Sequence, residues 1–317
     1  MLGIPSLPNV NSVIVELTQK CNNRCLVCGG AFANGNGELK FDTLQNLSDS
    51  LRSLTSVRLS GGEPLLYPKI IESIKLFTQR NCLVAMSSNG ILLTDEIIGE
   101  LTDAGLAELQ ISLDGASNTM IRRMRPNTNP ESVKKQIGYF VEYSRKVRNT
   151  PIFICLTFCI TRLNVQEIED FVKLGQELGV AEVRFQRYNP RGTAIEQLSS
   201  EENRRIVNLI SNLSQNRAYQ PRIYLDSRFS GRASTFPFIR THCIFPFMMM
   251  NISADGNVFP CCGTGGYDLP LGNLNKQTAY AIQQGELRQK LLRKLCSGTP
   301  PEACKGCPLL RKSNKKI

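Results

Sequence analysis

The sequence predicts an α/β fold: an open barrel of six strand–helix units, followed by a small cysteine-rich domain built round a β-hairpin. Three observations predict it. Short apolar runs alternate with helix-like periods from Ser12 to about Asp226. The chemically unusual residues of that stretch follow the apolar runs rather than precede them. After about Arg228 the strands shorten, Phe, Pro and Gly become frequent, and six cysteines fall between Cys243 and Cys307.

The strand-like runs are Val13–Leu17, Val57–Ser60, Leu83–Ser88, Glu108–Leu113, Ile152–Thr161, Glu182–Arg187 and Ile223–Leu225. They are rich in Val, Ile or Leu and end at Gly, Asn or Pro signals. Helical periods fill the gaps at Asp42–Leu54, Lys69–Gln79, Asp95–Ala104, Glu131–Val147, Val165–Leu178 and Glu201–Leu213. Thr94 and Asn164 are expected N-caps, and Asn164 with Glu167 is expected to form a capping box. Repeated strand–helix units imply a parallel sheet with right-handed crossovers. Six of them make a partial (β/α)6 TIM-like barrel, whose chemistry belongs at the C-terminal ends of its strands. The domain boundary is expected near Gly231, giving a core of 1–230 and a C-terminal domain of 231–317.

With 41% hydrophobic and 21% charged residues among 317, the chain has the composition of a soluble globular protein. No apolar run approaches the roughly 18 residues a membrane span needs, and Met1 to Asn11 carry no secretion signal. A cytoplasmic location without a membrane partner is therefore expected. The net charge is +11. The excess is scattered, with a terminal cluster at Lys305, Arg311, Lys312, Lys315 and Lys316 and no basic stripe interleaved with aromatics. A solvated surface is the expected reading, rather than a nucleic-acid face. There are 12 cysteines and one histidine, His242. A disulfide framework is not expected in that location, so clustered cysteines read first as metal ligands, and thiolates must carry any large metal load.

Directly after the first strand stands Cys21-Asn-Asn-Arg-Cys25-Leu-Val-Cys28. Three thiolates serve a four-iron cubane and leave one iron open; the same spacing alone also serves zinc. After strand two comes Ser60-Gly61-Gly62-Glu63-Pro64, where two glycines permit close backbone approach and Glu63 offers a carboxylate. Strand three ends in Ser87-Ser88-Asn89-Gly90 and strand four in Ile111-Ser112-Leu113-Asp114-Gly115.

Over residues 12–226 this set resembles the radical S-adenosylmethionine (SAM) superfamily. The resemblance implies a [4Fe–4S] cluster on Cys21, Cys25 and Cys28, whose open iron chelates SAM and cleaves it to a 5′-deoxyadenosyl radical. It also implies SAM contacts from Gly61, Gly62, Glu63, Ser88, Asn89 and Ser112. Glu63 would hold the SAM amino group and Arg125 would lie near its carboxylate, with Arg123 as the other candidate. Asp114 lines the pocket or caps the following turn. Relatives often carry an aromatic residue before the third cysteine; here it is Val27, which leaves the adenine contact open.

Strand five alternates Cys155, Thr157, Cys159 and Thr161 with Ile154, Leu156, Phe158 and Ile160. The bulky face should pack on helices and leave the Cys/Thr face toward the lumen. Cys155 and Cys159 are accordingly the candidate catalytic thiols, as hydrogen-atom donors; the other reading is that each is a small buried hydrophobe. Cys82 has only that second reading. Arg187 and Asn189 on strand six are further candidate contacts.

In the last quarter, Asp255-Gly256 between apolar residues reads as a tight hairpin that sets Cys261 beside the chain carrying Cys243. Cys304-Lys-Gly-Cys307 adds a two-thiolate turn. The pattern resembles the SPASM/twitch extension of radical SAM enzymes. It implies one auxiliary [4Fe–4S] cluster on Cys243, Cys261, Cys304 and Cys307, with Cys262 or Cys296 as a substitute ligand and zinc as the alternative metal. His242 reads as a local structural residue.

The resemblance implies an oxidoreductase or maturase that abstracts hydrogen from an unactivated C–H of a peptide or small natural product, giving net oxidation or crosslinking. The partners it implies are that substrate and an electron donor such as flavodoxin or ferredoxin. Because strand one begins by residue 13, a peptide substrate is expected to come with a separate leader-binding protein. Alternatives are a radical epimerase using a lumen cysteine, an RNA-modifying enzyme, and a non-catalytic iron–sulfur or zinc protein.

Overall fold

The structure, a computed structural model, describes residues 8–28, 35–188, 195–226, 243–261, 266–305 and 307. Seven consecutive parallel strands form the barrel wall: β1 (Ser12–Thr18), β2 (Ser56–Gly61), β3 (Leu83–Ser88), β4 (Glu108–Ser112), β5 (Phe153–Ile160), β6 (Glu182–Arg187) and β7 (Arg222–Leu225). The helices are α1 (Phe41–Ser50), α2 (Ile70–Thr78), α3 (Asp95–Asp103), α4 (Asn118–Met124), α5 (Pro130–Val147), α6 (Ile168–Glu177) and α7 (Ser200–Gln215). The expected partial (β/α)6 TIM-like barrel is what forms. Alternation explains its two faces. Val13, Val15 and Leu17 of β1 and Val57 and Leu59 of β2 are fully or almost fully buried in the core. On β5, Phe158 turns outward, 4.8 Å from the ring of Phe171 on α6, so the bulky face packs on helices as its pattern predicts.

Two local expectations fail for physical reasons. Asn164 does not cap with Glu167. Its Oδ1 accepts from the Thr161 amide and hydroxyl, and its Nδ2 donates to the Asp114 and Cys159 carbonyls. Glu167 instead accepts from the Ala116 and Ser117 amides and the Ser117 hydroxyl, at the start of α4, a helix absent from the sequence reading. A capping box does form at Ser199/Glu202 on α7, where none was expected.

The C-terminal part comprises α8 (Phe245–Met248), β8 (Met249–Ile252), β9 (Asn257–Phe259), β10 (Gly272–Asn273), α9 (Ala279–Gln284) and α10 (Glu286–Cys296). The predicted hairpin is present: β8 and β9 pair antiparallel round Gly256, whose φ is +83°. It is not set apart from the barrel, because β8 lies parallel to β1 with Ser12 opposite Met249, and the sheet order is β10-β9-β8-β1-β2-β3-β4-β5-β6-β7. The expected boundary at 230/231 lies outside the described residues. Among the described residues no helix is long and apolar enough to cross a membrane.

Candidate active site

β1 delivers the chain to Cys21, and a single 3-10 turn, Leu26–Cys28, closes the loop. The loop is held from below: Asn23 Nδ2 donates to Thr128 Oγ1 at 2.8 Å, and Asn127 Nδ2 donates to the Asn22 carbonyl at 3.0 Å. Cys25 is buried, Cys21 half-buried and Cys28 exposed. Burial pushes the Cys25 thiol up to about 11, Arg125 pulls against it, and Cys28 and Cys21 are near enough to add their own repulsion.

Gly61 and Gly62 are required by the backbone around them. A Cβ on Gly61, at φ +147°, would stand 2.3 Å from the Thr18 carbonyl, and one on Gly62 would stand 2.2 Å from that of Lys20. The close approach lets Gly62 N donate to Thr18 O at 2.7 Å and Glu63 N to Lys20 O at 2.8 Å. The turn is thereby bonded to the chain entering Cys21. The Glu63 carboxylate, expected at the SAM amino group, is fully buried. Ser88 Oγ (2.8 Å) and Leu65 N (3.1 Å) donate to its Oε1, and Asn89 N (2.8 Å) donates to its Oε2. Burial raises its pKa against those donors. Glu63 braces the ends of β2 and β3, and its glycine neighbours form the cavity wall.

Asn89 Nδ2 reaches the cysteine loop at Asn22 Oδ1, 2.7 Å away. Ser112 Oγ shares a 2.9 Å bond with Thr157 Oγ1. Asp114 has φ +57°, the left-handed region, and is buried. Its Oδ1 accepts from Cys159 N at 2.7 Å, and its Oδ2 pairs with Arg125 at 2.6 Å. Arg125 Nη1 then donates to Cys25 Sγ at 3.3 Å. The arginine is therefore engaged on a carboxylate and a thiol.

These elements enclose one cavity of about 170 Å³. Cys21, Cys25 and Cys28 line it together with Gly61, Gly62, Ser88, Asn89, Ser112 and Arg125. Asn23, Arg24, Ser60 and Ser87 also line it and were not singled out from sequence. Asn23 and Arg24 lie between the cysteines, and Ser60 and Ser87 abut the glycine and Ser-Asn signals, so position was the available clue. Cys155 and Cys159 are not among the lining residues. Cys155 is fully buried, its Sγ 3.6 Å from Glu182 Oε1, and burial pushes its pKa up. Cys159 stays half-buried. Arg187 lines a separate crevice with Tyr188 and Leu198; Asn189 lies outside the described residues.

The second cysteine set also converges. Burial pushes Cys243 up to about 12, with Cys261, Cys307 and Cys304 close enough to contribute. Cys307 N donates to Cys304 O at 3.2 Å. Cys296, at the end of α10, shows the effect of burial alone; Cys262 and His242 lie outside the described residues. Among the described residues no three His, Cys, Asp or Glu side chains close round a single-ion position.

Comparison with known proteins matches residues 15–179 to the radical SAM superfamily and residues 243–308 to an iron–sulfur cluster-binding domain, SPASM. The AdoMet-dependent heme synthase of Methanosarcina barkeri is 28% identical over 96% of this chain and 89% of that protein. The GTP 3′,8-cyclase of Clostridium botulinum is 30% identical over 58% of each chain. The structure of Streptococcus suis SuiB bound to precursor peptide SuiA superposes with a TM-score of 0.76 at 14% identity, covering 95% of this chain and 70% of that one.

Proposed function

The chain belongs to the radical SAM superfamily, and from that premise we propose that it abstracts hydrogen from an unactivated C–H of a peptide or small natural product, giving an oxidised or crosslinked product. It is an enzyme whose cofactors are a [4Fe–4S] cluster, SAM and an auxiliary cluster. The observation that carries the reading is the meeting, on one cavity, of three thiols from a single loop with the Gly61-Gly62 turn and the Ser88-Asn89 strand end. That donor set fits the cofactor: among the described residues the cavity is lined by three cysteines, which leaves one corner of a four-iron cubane without a protein ligand. When bound, the N-terminal cluster with SAM supplies a 5′-deoxyadenosyl radical, and the auxiliary cluster supplies an acceptor for the electron left after hydrogen loss.

The chain's own residues prepare the site. Arg125 stabilises the thiolate of Cys25, Asp114 fixes Arg125, and Asn89 ties strand three to the cysteine loop. Ser112, held by its bond to Thr157, sets a hydroxyl on the cavity wall. The electron donor in this reading is a flavodoxin or ferredoxin. A peptide substrate is supported by the SuiB fold, seen with a precursor peptide. A small-molecule substrate is supported by the heme synthase, a relative that matches over 96% of this chain.

A second reading, epimerisation, is favoured by one observation: Cys159 keeps partial exposure on the Cys/Thr face of β5. Solvent deuterium in the product, lost in Cys159→Ala, would establish it.

Anaerobically reconstituted protein, given SAM and a strong reductant, should form 5′-deoxyadenosine, and Cys25→Ala should not. If the wild type, with its N-terminal cluster shown to be present, neither binds SAM nor forms the product, the radical reading fails.

A further inference from the structure

One of the three cavity thiols is in contact with a positive charge. Arg125 Nη1 donates to Cys25 Sγ at 3.3 Å, and both residues line the cavity. Among the described residues no other charged side chain donates to Cys21, Cys25 or Cys28. The guanidinium is placed from its other edge. Its Nε and Nη2 meet Asp114 Oδ2 at 2.9 and 2.6 Å. The Cys159 amide donates to Asp114 Oδ1 at 2.7 Å, and Asn164 Nδ2 donates to the Asp114 carbonyl at 2.9 Å. The Arg125 amide closes the end of α4 on the Ile121 carbonyl at 2.8 Å.

Backbone bonds therefore fix both members of the pair, and burial keeps water from screening them. In such surroundings charges at short range act strongly. The order of the groups is sulfur, guanidinium, carboxylate: the cation touches the thiol, and the anion stands behind the cation. A thiolate that ligates iron retains lone pairs for an N–H donor. Reduction puts one more negative charge on the assembly of iron, sulfide and thiolate. Hydrogen bonds to the sulfurs and the charge around them set the potential at which this happens. The cation in contact favours the reduced form, and the anion behind it opposes that effect from longer range.

We propose that Arg125, through its bond to Cys25 Sγ, raises the reduction potential of the N-terminal cluster, and that Asp114 limits the rise. This rests on the assignment of that cluster to Cys21, Cys25 and Cys28. Arg125 is then a positioning residue with a function apart from stability: with Asp114 it sets how readily a low-potential carrier loads the cluster with an electron. A pair that served folding alone would leave the potential where it is.

Potentiometric EPR measurement on the cluster-loaded protein tests the proposal, the N-terminal signal being the one lost in Cys25→Ala. Asp114→Asn removes the opposing carboxylate and keeps the guanidinium. Its midpoint should rise, with a change in the reduced-to-oxidised ratio of about tenfold, or about 59 mV for one electron. Arg125→Lys keeps a positive charge, but a single ammonium lacks the planar fork that serves Asp114 and Cys25 together. Its midpoint should fall, with the ratio shifted several-fold. Arg122→Gln removes a unit of charge from the helix that Arg125 ends, where the side chain is 53% exposed and paired with Glu131. Solvent screens that charge, so the midpoint should stay. The auxiliary signal should stay in all three variants. An unmoved or lowered midpoint in Asp114→Asn overturns the proposal, and so does a shift in Arg122→Gln as large as that in Arg125→Lys. Should Arg125→Lys lose its iron, Asp114→Asn decides alone. Retention of both signals in Cys25→Ala would overturn the cluster assignment, and the proposal with it; loss of one signal there with an unmoved Asp114→Asn midpoint would overturn the proposal alone.

Discussion

Arg125 joins three requirements at one residue. It is 8% exposed, its charge is balanced by Asp114, and it supports the thiolate of Cys25. Arg125→Met would leave Asp114 buried and unpaired, at a cost of about 3 to 5 kcal/mol. The denaturant midpoint should fall accordingly, and the N-terminal loop should retain less iron. Adding Asp114→Asn should restore part of the stability but not the iron, since only the first loss is electrostatic compensation within the pair. Equal stability of the single and double variants would contradict this account. Gly62→Ala tests the backbone contact directly. Its Cβ would meet the Lys20 carbonyl at 2.2 Å, so the turn must part from the chain entering Cys21. The expected outcome is folded protein that fails to hold the N-terminal cluster, read as lost iron with an intact circular dichroism spectrum. At this scale the cysteines, glycines and Arg125 were legible because residue type and spacing carry the chemistry. The partners of Arg125 and of Glu63 were not, because Ser88, Asp114 and Cys25 reach them from other parts of the chain.

Helix ends show the same division between local and distant information. Thr94 caps α3 as its sequence predicts, its Oγ1 accepting from Ile97 N at 3.2 Å, because that bond closes within four residues. Asn164 and Glu167 have the same local pattern, yet both are drawn off by the Asp114 and Ala116–Ser117 segment, more than forty residues earlier. The capping box at Ser199 and Glu202 makes a pH prediction. The Ser199 amide, then Arg162, holds the Glu202 carboxyl at about 2, below its ordinary value. A depressed carboxyl contributes stability that is present above the ordinary glutamate range and is lost as pH falls toward the folded value. The stability difference between wild type and Glu202→Gln should therefore be constant from pH 7 to about pH 5 and shrink below about pH 4.5. Thermal midpoints measured across that window check it, and a difference that does not shrink would sink the assignment. Ser199→Ala should cost about 1 kcal/mol at neutral pH, because it removes the cap itself, and less below about pH 4.5, because the Ser199 side chain also helps to hold the Glu202 carboxyl down.

The whole molecule departs most from its sequence reading at the joint between barrel and C-terminal part. The composition change was visible, and so was the hairpin, but not that a four-residue strand would pair with β1; no local pattern encodes a partner more than two hundred residues away. The pairing puts the two cysteine sets at opposite ends of β1. Cys21 follows its C-terminal end, while Cys243 leads through α8 to β8, which starts beside Ser12. Seven residues of strand span about 23 Å. The geometry of one site relative to the other is then set by how firmly the second is fastened to the start of β1. Arg288 is the fastening: 1% exposed, it donates to the carbonyls of Pro246, Gln283, Pro8 and Phe247 at 3.0 to 3.2 Å. Gln283 beside it accepts from Val10 N at 2.8 Å. Burial lowers the arginine's pKa to about 10, so it keeps its charge at neutral pH. Arg288→Met would strip donors from four carbonyls of three segments, at about 1 to 3 kcal/mol for each group left unsatisfied. The loss should fall unevenly, because the carbonyls of Pro246 and Phe247 belong to the segment just after Cys243, whereas Cys21, Cys25 and Cys28 are braced by Asn23, Asn89 and Arg125. Iron analysis with Mössbauer spectroscopy of the variant should therefore show the auxiliary cluster depleted and the N-terminal cluster retained. Equal depletion of both would mean that Arg288 supports the fold as a whole and does not specifically fasten the second site.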